Sequence, residues 1–173
     1  MANAFDEFLK SIDGITFEET SDEDYKKLMD LFSDTIPDML AETYKKHIPA
    51  EDAESGEIVF YGIKRIIEEN TDYVPGANIH PLGLYTFASS LDGDSICFDS
   101  NDPLFPVYQC SPDLIGDEDE ISFYKGGMKS LPFDHDSVLK VSARLSDSFE
   151  EFVTALTDDD IELFSVSEMI KDL

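Results

Sequence analysis

Three groupings of side chains in this sequence have the composition of reactive sites. The histidines, His47, His80 and His135, are the first. They fall in separate segments, and none stands beside a serine or cysteine in a nucleophile motif. His135, between Asp134 and Asp136, has the neighbours of a metal ligand or proton-transfer group. The same trio is ordinary in a solvated loop, and that is the reading we prefer. The second grouping is the cysteine pair, Cys97 and Cys110. A cysteine nucleophile needs an exposed thiolate and a nearby base, whereas both of these sit in apolar, strand-like runs. The third is Asp92-Gly93-Asp94 with Asp99, Asn101 and Asp102, which invites calcium. The glycine stands at the wrong offset for an EF-hand, and no glutamate closes a twelve-residue loop of the kind that fold uses. Two successive tight turns want the same residue types, and turns are the better explanation.

No glycine-rich phosphate loop, HExxH or CxxC motif is present. The expectation is therefore no catalytic residue, no metal and no cofactor. Aromatic residues follow the same logic. Phe60, Tyr85, Phe87, Phe98, Phe105 and Tyr108 occupy strand-like runs and alternate faces, which makes most of them core. Stacking on single-stranded nucleic acid would need basic residues among them, and their neighbours are acidic or neutral.

The elements that must carry these groups can be read from periodicity. Phe5, Phe8, Leu9 and Ile12 have helical spacing, ended by Gly14. A capping-box pattern over 21–24 precedes a second stripe of Tyr25, Leu28, Met29 and Phe32. Pro37 suits a helix's first turn, with Ile36, Met39, Leu40 and Tyr44 lining its inner face. Lys45, Lys46 and His47 then suit the last turn, and Pro49 stops it. Residues 57–61 form a β-type run, 63–69 an amphipathic stretch that is either a helical turn or a continuing strand, and 70–81 a loop.

Three strand candidates follow at 83–88, 94–99 and 105–110. Asp92-Gly93 is a strong hairpin signal between the first two, and short connections make the set an antiparallel meander. If the second hairpin turns around residue 102, Cys97 faces the neighbourhood of Val107 and Cys110 that of Asp94. The thiols would then lie too far apart for a bridge, so reduced, buried cysteines are expected. Residues 113–136 read as a long acidic excursion around a strand at 121–124. Residues 138–143 read as a further strand or the approach to the next helix. Asp147 with Glu150 caps that helix, whose stripe is Phe149, Phe152, Val153 and Leu156. Residues 158–160 break it, and a short helix over 166–173 ends the chain. The predicted fold class is α+β, a central antiparallel sheet flanked by N-terminal and C-terminal helices, in one domain spanning 1–173.

Composition sets the partner class. The chain has 173 residues, with 39 acidic and 12 basic side chains and a formal net charge of −27. Hydrophobic residues at 42% are enough to build a core, so this is an acidic globular protein rather than a disordered acidic tail. Such a charge repels phosphate backbones and anionic lipid, which excludes nucleic acid and membrane surfaces as partners. It suits a basic protein, although solubility alone accounts for many acidic surfaces. The first residues lack the basic and apolar regions of a signal peptide, no apolar run is long enough to span a bilayer, and two cysteines do not make a disulfide scaffold. The expected compartment is the cytosol.

Several pieces occur in a recognisable order. After the Ile-Pro helix opening come Glu57-Ile-Val-Phe-Tyr61, Gly83-Leu-Tyr-Thr-Phe-Ala88, Asp92-Gly-Asp94, Ile96-Cys-Phe-Asp99 and Pro106-Val-Tyr108, closed by Ser146-Asp-Ser-Phe149-Glu-Glu-Phe152. This order resembles the SUKH superfamily over a core of about 22–157. The resemblance implies a central antiparallel sheet with flanking helices and no catalytic residues. It also implies the role of a bacterial immunity protein that binds and neutralises a cognate polymorphic toxin, often a nuclease. A basic nuclease cleft suits an acidic inhibitor. On that expectation Asp92, Asp94, Asp102, Asp113, Asp117, Glu118, Asp119 and Glu120 carry the electrostatic steering towards the partner, while a few exposed aromatics supply affinity. The competing expectations are a regulatory scaffold of the same fold with no toxin partner, and a metal-binding enzyme using one of the aspartate clusters. The oligomeric state is left open.

Overall fold

The computed structural model describes residues 2–173. Its centre is a six-stranded antiparallel sheet in the order β10-β7-β6-β5-β4-β3, with helices at both ends of the chain. The strands are β3 (Ala53–Ser55), β4 (Ile58–Phe60), β5 (Leu84–Ser90), β6 (Ser95–Asp99), β7 (Val107–Cys110) and β10 (Ala143–Ser146). The α+β expectation and the meander hold. Among the described residues no helix is long and apolar enough to cross a membrane.

The sheet separates two apolar layers. On one side, α1 (Ala4–Lys10), α3 (Asp38–Lys46) and α7 (Phe149–Thr157) pack together and contribute to the larger layer. Its centre is a chain of rings. Phe5 meets Phe60 at 6.0 Å and Phe149 at 5.8 Å, and Phe87 meets Phe149 at 5.4 Å and Phe152 at 5.7 Å. Both termini are thereby fastened to the middle strands, at about 1.5–3 kcal/mol per fully buried aromatic or aliphatic side chain. A register shift between Thr86 and Ala88 places Phe87 and Ala88 in the same layer, so the alternation expected along β5 breaks there. Phe60, Tyr85, Phe87 and Phe98 all join this layer, whereas Tyr108 joins the other with Cys97, Cys110, Ile121, Val138 and Met169.

The structure corrects several local expectations. The helix from Pro37 ends at Lys46, and His47–Pro49 is not its tail but β2, paired with β1 (Phe17–Glu19) in a separate ladder. Residues 63–69 belong to a helix, α4 (Ile63–Thr71). The segment expected to be a loop holds α5 (Gly76–Ile79) and a 3-10 turn over His80–Leu82. Gly76 is required there, because a Cβ would lie 2.0 Å from the Glu69 carbonyl oxygen. The strand expected at 121–124 is β8 (Glu120–Tyr124), paired with an unforeseen β9 (Met128–Pro132). His135–Lys140 is α6, capped by Asp134 rather than lying in a loop. The cap of α7 is Ser148, one residue later than Asp147, because the Ser148 hydroxyl accepts from the Glu151 amide.

The cysteine pair is the largest correction. Cys97 pairs with Tyr108 and Ser95 with Cys110, one residue out of the expected register. A one-residue slip moves a side chain to the other face of a sheet. The shift makes the cysteines diagonal neighbours on one face, with Sγ atoms 3.7 Å apart. The connection runs from Asp99 to Val107, and within it Phe105 takes φ of 53° and its amide donates to the Asp102 carbonyl at 3.0 Å. Both thiols are free and buried, as expected.

Candidate functional site

The β5–β6 hairpin forms under simple constraints. Gly93 takes φ of 93°, a conformation costly for side-chain-bearing residues. The Ser90 amide donates to the Asp94 carbonyl at 2.9 Å, and the Asp94 amide donates to the Ser90 hydroxyl at 3.0 Å. Beside them the Leu91 amide donates to the Glu57 carbonyl at 2.9 Å, tying the tip to the β3–β4 turn. Leu91 itself is left 55% exposed.

A second constraint comes from the C-terminal segment. Gln109, buried in β7, donates from Nε2 to Asp94 Oδ2 at 2.7 Å and to the Phe164 carbonyl at 3.0 Å. Its Oε1 accepts from the Phe164 amide at 2.8 Å. One amide side chain thus acts as a short piece of strand and holds the C-terminal segment against the sheet. Immediately after it, Ser165 and Glu168 form a reciprocal capping box that starts α8 (Val166–Met169).

Between hairpin and tail lies a groove of about 380 Å³ whose wall includes Leu91 and Phe164 and the carboxylates of Glu57, Asp92, Asp94 and Glu168. Among the described residues no lysine, arginine or histidine lines it. Burial raises the Asp94 pKa, and the like charges of Asp92 and Asp113 add to it, against hydrogen bonds to Gln109 and Ser111. The groove is a concentrated negative field beside an exposed leucine. Its chemistry is attraction of cations, with an apolar contact at hand.

The expected steering residues do not form one patch. Asp92, Asp94 and Asp113 come together at this end of the sheet. Asp102 lies in the β6–β7 connection, at the opposite end of β6, where its Oδ1 accepts from the Leu104 amide at 2.9 Å. Asp117, Glu118 and Asp119 are an exposed run leading into β8, which Glu120 begins; Asp117 accepts from the Asp119 amide at 2.8 Å. Glu57 and Glu168 belong to the acidic groove although they are far from Asp92 in sequence, and no local pattern marks them. Leu91 had a signal, an apolar residue directly before a hairpin turn.

The histidines are held in three different places. His135 Nε2 lies 2.9 Å from Asp99 Oδ2, a carboxylate that is almost fully buried. His47 Nε2 lies 2.5 Å from Asp6 Oδ1, and its ring lies tilted against Phe17. Burial works against the Asp6 carboxylate, but hydrogen bonds from Lys10 and His47 outweigh it and hold its pKa below the usual value. His80 Nε2 contacts the Leu31 carbonyl at 2.7 Å, and its ring lies tilted against Tyr85. These pairs join elements of the fold. Among the described residues no three His, Cys, Asp or Glu side chains converge to hold a metal ion. The Cys97 thiol, hydrogen-bonded to Cys110 and buried, has its pKa pushed well up, which makes it a poor nucleophile.

Comparison of the chain with family models, with curated proteins and with solved structures finds no match.

Proposed function

We propose that this chain is a non-catalytic binding protein that docks a basic protein through the acidic end of its sheet. The observation that carries the reading is the groove in which Glu57, Asp92, Asp94 and Glu168 face solvent space with no basic side chain among the described residues lining it, beside exposed Leu91. A net charge of −27 extends the same field over longer range. Rim carboxylates set the rate of encounter, and a partly exposed apolar residue supplies contact area once the partner has arrived.

The order of motifs that resembles the SUKH superfamily narrows the partner to a toxin domain, of the nuclease type, met in the cytosol. A nuclease cleft is cationic because it holds phosphate, so an acidic protein seated on it would exclude nucleic acid by charge and by bulk. Neutralisation would then need no chemistry from the inhibitor.

The gene neighbourhood is the first test. A neighbouring gene for a large secreted protein with a C-terminal toxin domain is expected, and a locus without one removes the toxin from this reading. Co-expression follows: the toxin domain should co-purify with this chain and lose its activity. A toxin domain that stays fully active in a stoichiometric mixture would overturn neutralisation.

A further inference from the structure

On the other side of the same hairpin is a second groove, of about 430 Å³. One row across three strands enters it from the lip inwards, Glu54 opposite Val59 opposite Ser89. Three of the large apolar residues left exposed in this chain, Tyr73 (45%), Val74 (47%) and Leu91 (55%), all line it. Exposed apolar surface gathered at one concave place marks interaction sites more often than the same residues scattered singly.

The charges there are arranged unequally. The Arg65 guanidinium is stacked between the rings of Tyr61 and Tyr73, 5.4 and 4.7 Å from their centroids, and is paired with Glu69 at 2.8 Å. Its charge is already taken up within the wall. Glu54 in the edge strand and Asp52 just before it form the lip and are exposed, and the ion pairs of Arg65 go to Glu68 and Glu69 rather than to them. The wall is therefore apolar and self-neutralised, and the lip is anionic.

We infer that this groove receives a partner segment carrying a cationic side chain next to an apolar one, the cation on Asp52 and Glu54 and the apolar group against Val74 and Leu91. An acidic segment would face two exposed carboxylates, and a wholly apolar one would offer them no counter-charge. The inference rests on the docking reading above and deepens it. The field around Asp92 and Glu168 steers, and this groove anchors.

The test uses the intact chain, isotope-labelled for NMR, and a capped synthetic peptide alternating lysine and leucine, at low salt. Glutamate–leucine and lysine–glycine peptides are the controls. The lysine–leucine peptide is expected to shift the resonances of Glu54, Tyr73 and Val74, which line this groove and not the acidic one, and neither control should. The double substitution Asp52→Asn with Glu54→Gln is expected to weaken binding roughly 2- to 10-fold, the scale of exposed charge pairs. The pair Val74→Ser with Leu91→Ser should weaken it by about 10-fold or more, the scale of an interface anchor. These positions are exposed, so folding is not at risk, and unchanged chemical shifts elsewhere verify that. Shifts confined instead to Asp94, Gln109 and Glu168 would refute the groove and leave the docking reading intact. No binding at any site would refute both. Self-association that perturbs the same resonances would make a second copy the occupant and overturn the proposal.

Discussion

Gln109 and Phe164 hydrogen-bond each other twice, the side-chain amide of one to the backbone amide and carbonyl of the other, at 2.8 and 3.0 Å. That pair decides whether the acidic groove has a second wall. Without it, Phe164 loses both hydrogen bonds to the sheet, and the packing of Met169 and Ile170 is left to hold the segment opposite Asp94.

The substitution Gln109→Ala should therefore cost about 1–3 kcal/mol, the range for leaving buried polar groups unpaired. Amide exchange in residues 164–170 should speed up while α7 stays protected. The Asp94 carboxylate, losing a donor that lowers its pKa, should titrate at higher pH than in the native chain. Chemical denaturation, hydrogen exchange and carboxyl NMR titration read these three effects.

The cysteine pair has a kinetic signature. Thiols 3.7 Å apart, both free and buried, with Cys97 shifted well up in pKa, react slowly. A disulfide-exchange reagent should label neither in the native protein on a timescale that labels both in denaturant. Rapid labelling of the native protein would contradict their burial.

Asp6 gives a pH dependence of definite sign. Its pKa is lower in the folded protein than its ordinary 3.8, so it contributes stability above that value and loses it as pH falls through the folded-state pKa. Near neutral pH, Asp6→Asn should be less stable by roughly 1.5–3 kcal/mol, the scale of hydrogen bonds to a charged group. The gap should close in strong acid. A gap that persists unchanged there would mean that shape rather than charge holds Lys10 and His47.

Net charge has its own cost. With −27 charges on 173 residues, self-repulsion opposes the compact state, and salt screens it. The melting temperature should rise steadily as sodium chloride is increased over the range in which exposed charges interact. A flat response would mean that the carboxylates lie too far apart to repel.

What was legible in the sequence is what depends on neighbours along the chain. Asp92-Gly93 marks its hairpin because φ of 93° at Gly93 suits few other residues. Phe149, Phe152, Val153 and Leu156 mark one buried stripe because helical spacing puts them together. The failures share a different cause. Lys45 and Lys46 fit a helix C-terminus, yet nothing local shows that His47 to Pro49 pairs with Phe17 to Glu19, since that ladder is closed by distant residues. The contact between Cys97 and Cys110 was hidden by a single residue of register. The two grooves were hidden more deeply. That Tyr73 and Val74 remain exposed beside Leu91, and that Glu57 and Glu168 meet Asp92, follow only from how α4, the hairpin and the C-terminal segment converge.

The most direct measurement is the association rate constant with a basic toxin domain as ionic strength is raised. If the acidic end of the sheet steers docking, the rate at low salt should exceed that at high salt on the order of 10- to 1000-fold. Changing Glu57, Asp92 and Glu168 to their amides should remove a large part of that difference. A rate independent of salt, or one indifferent to those three changes, would contradict electrostatic docking at this face.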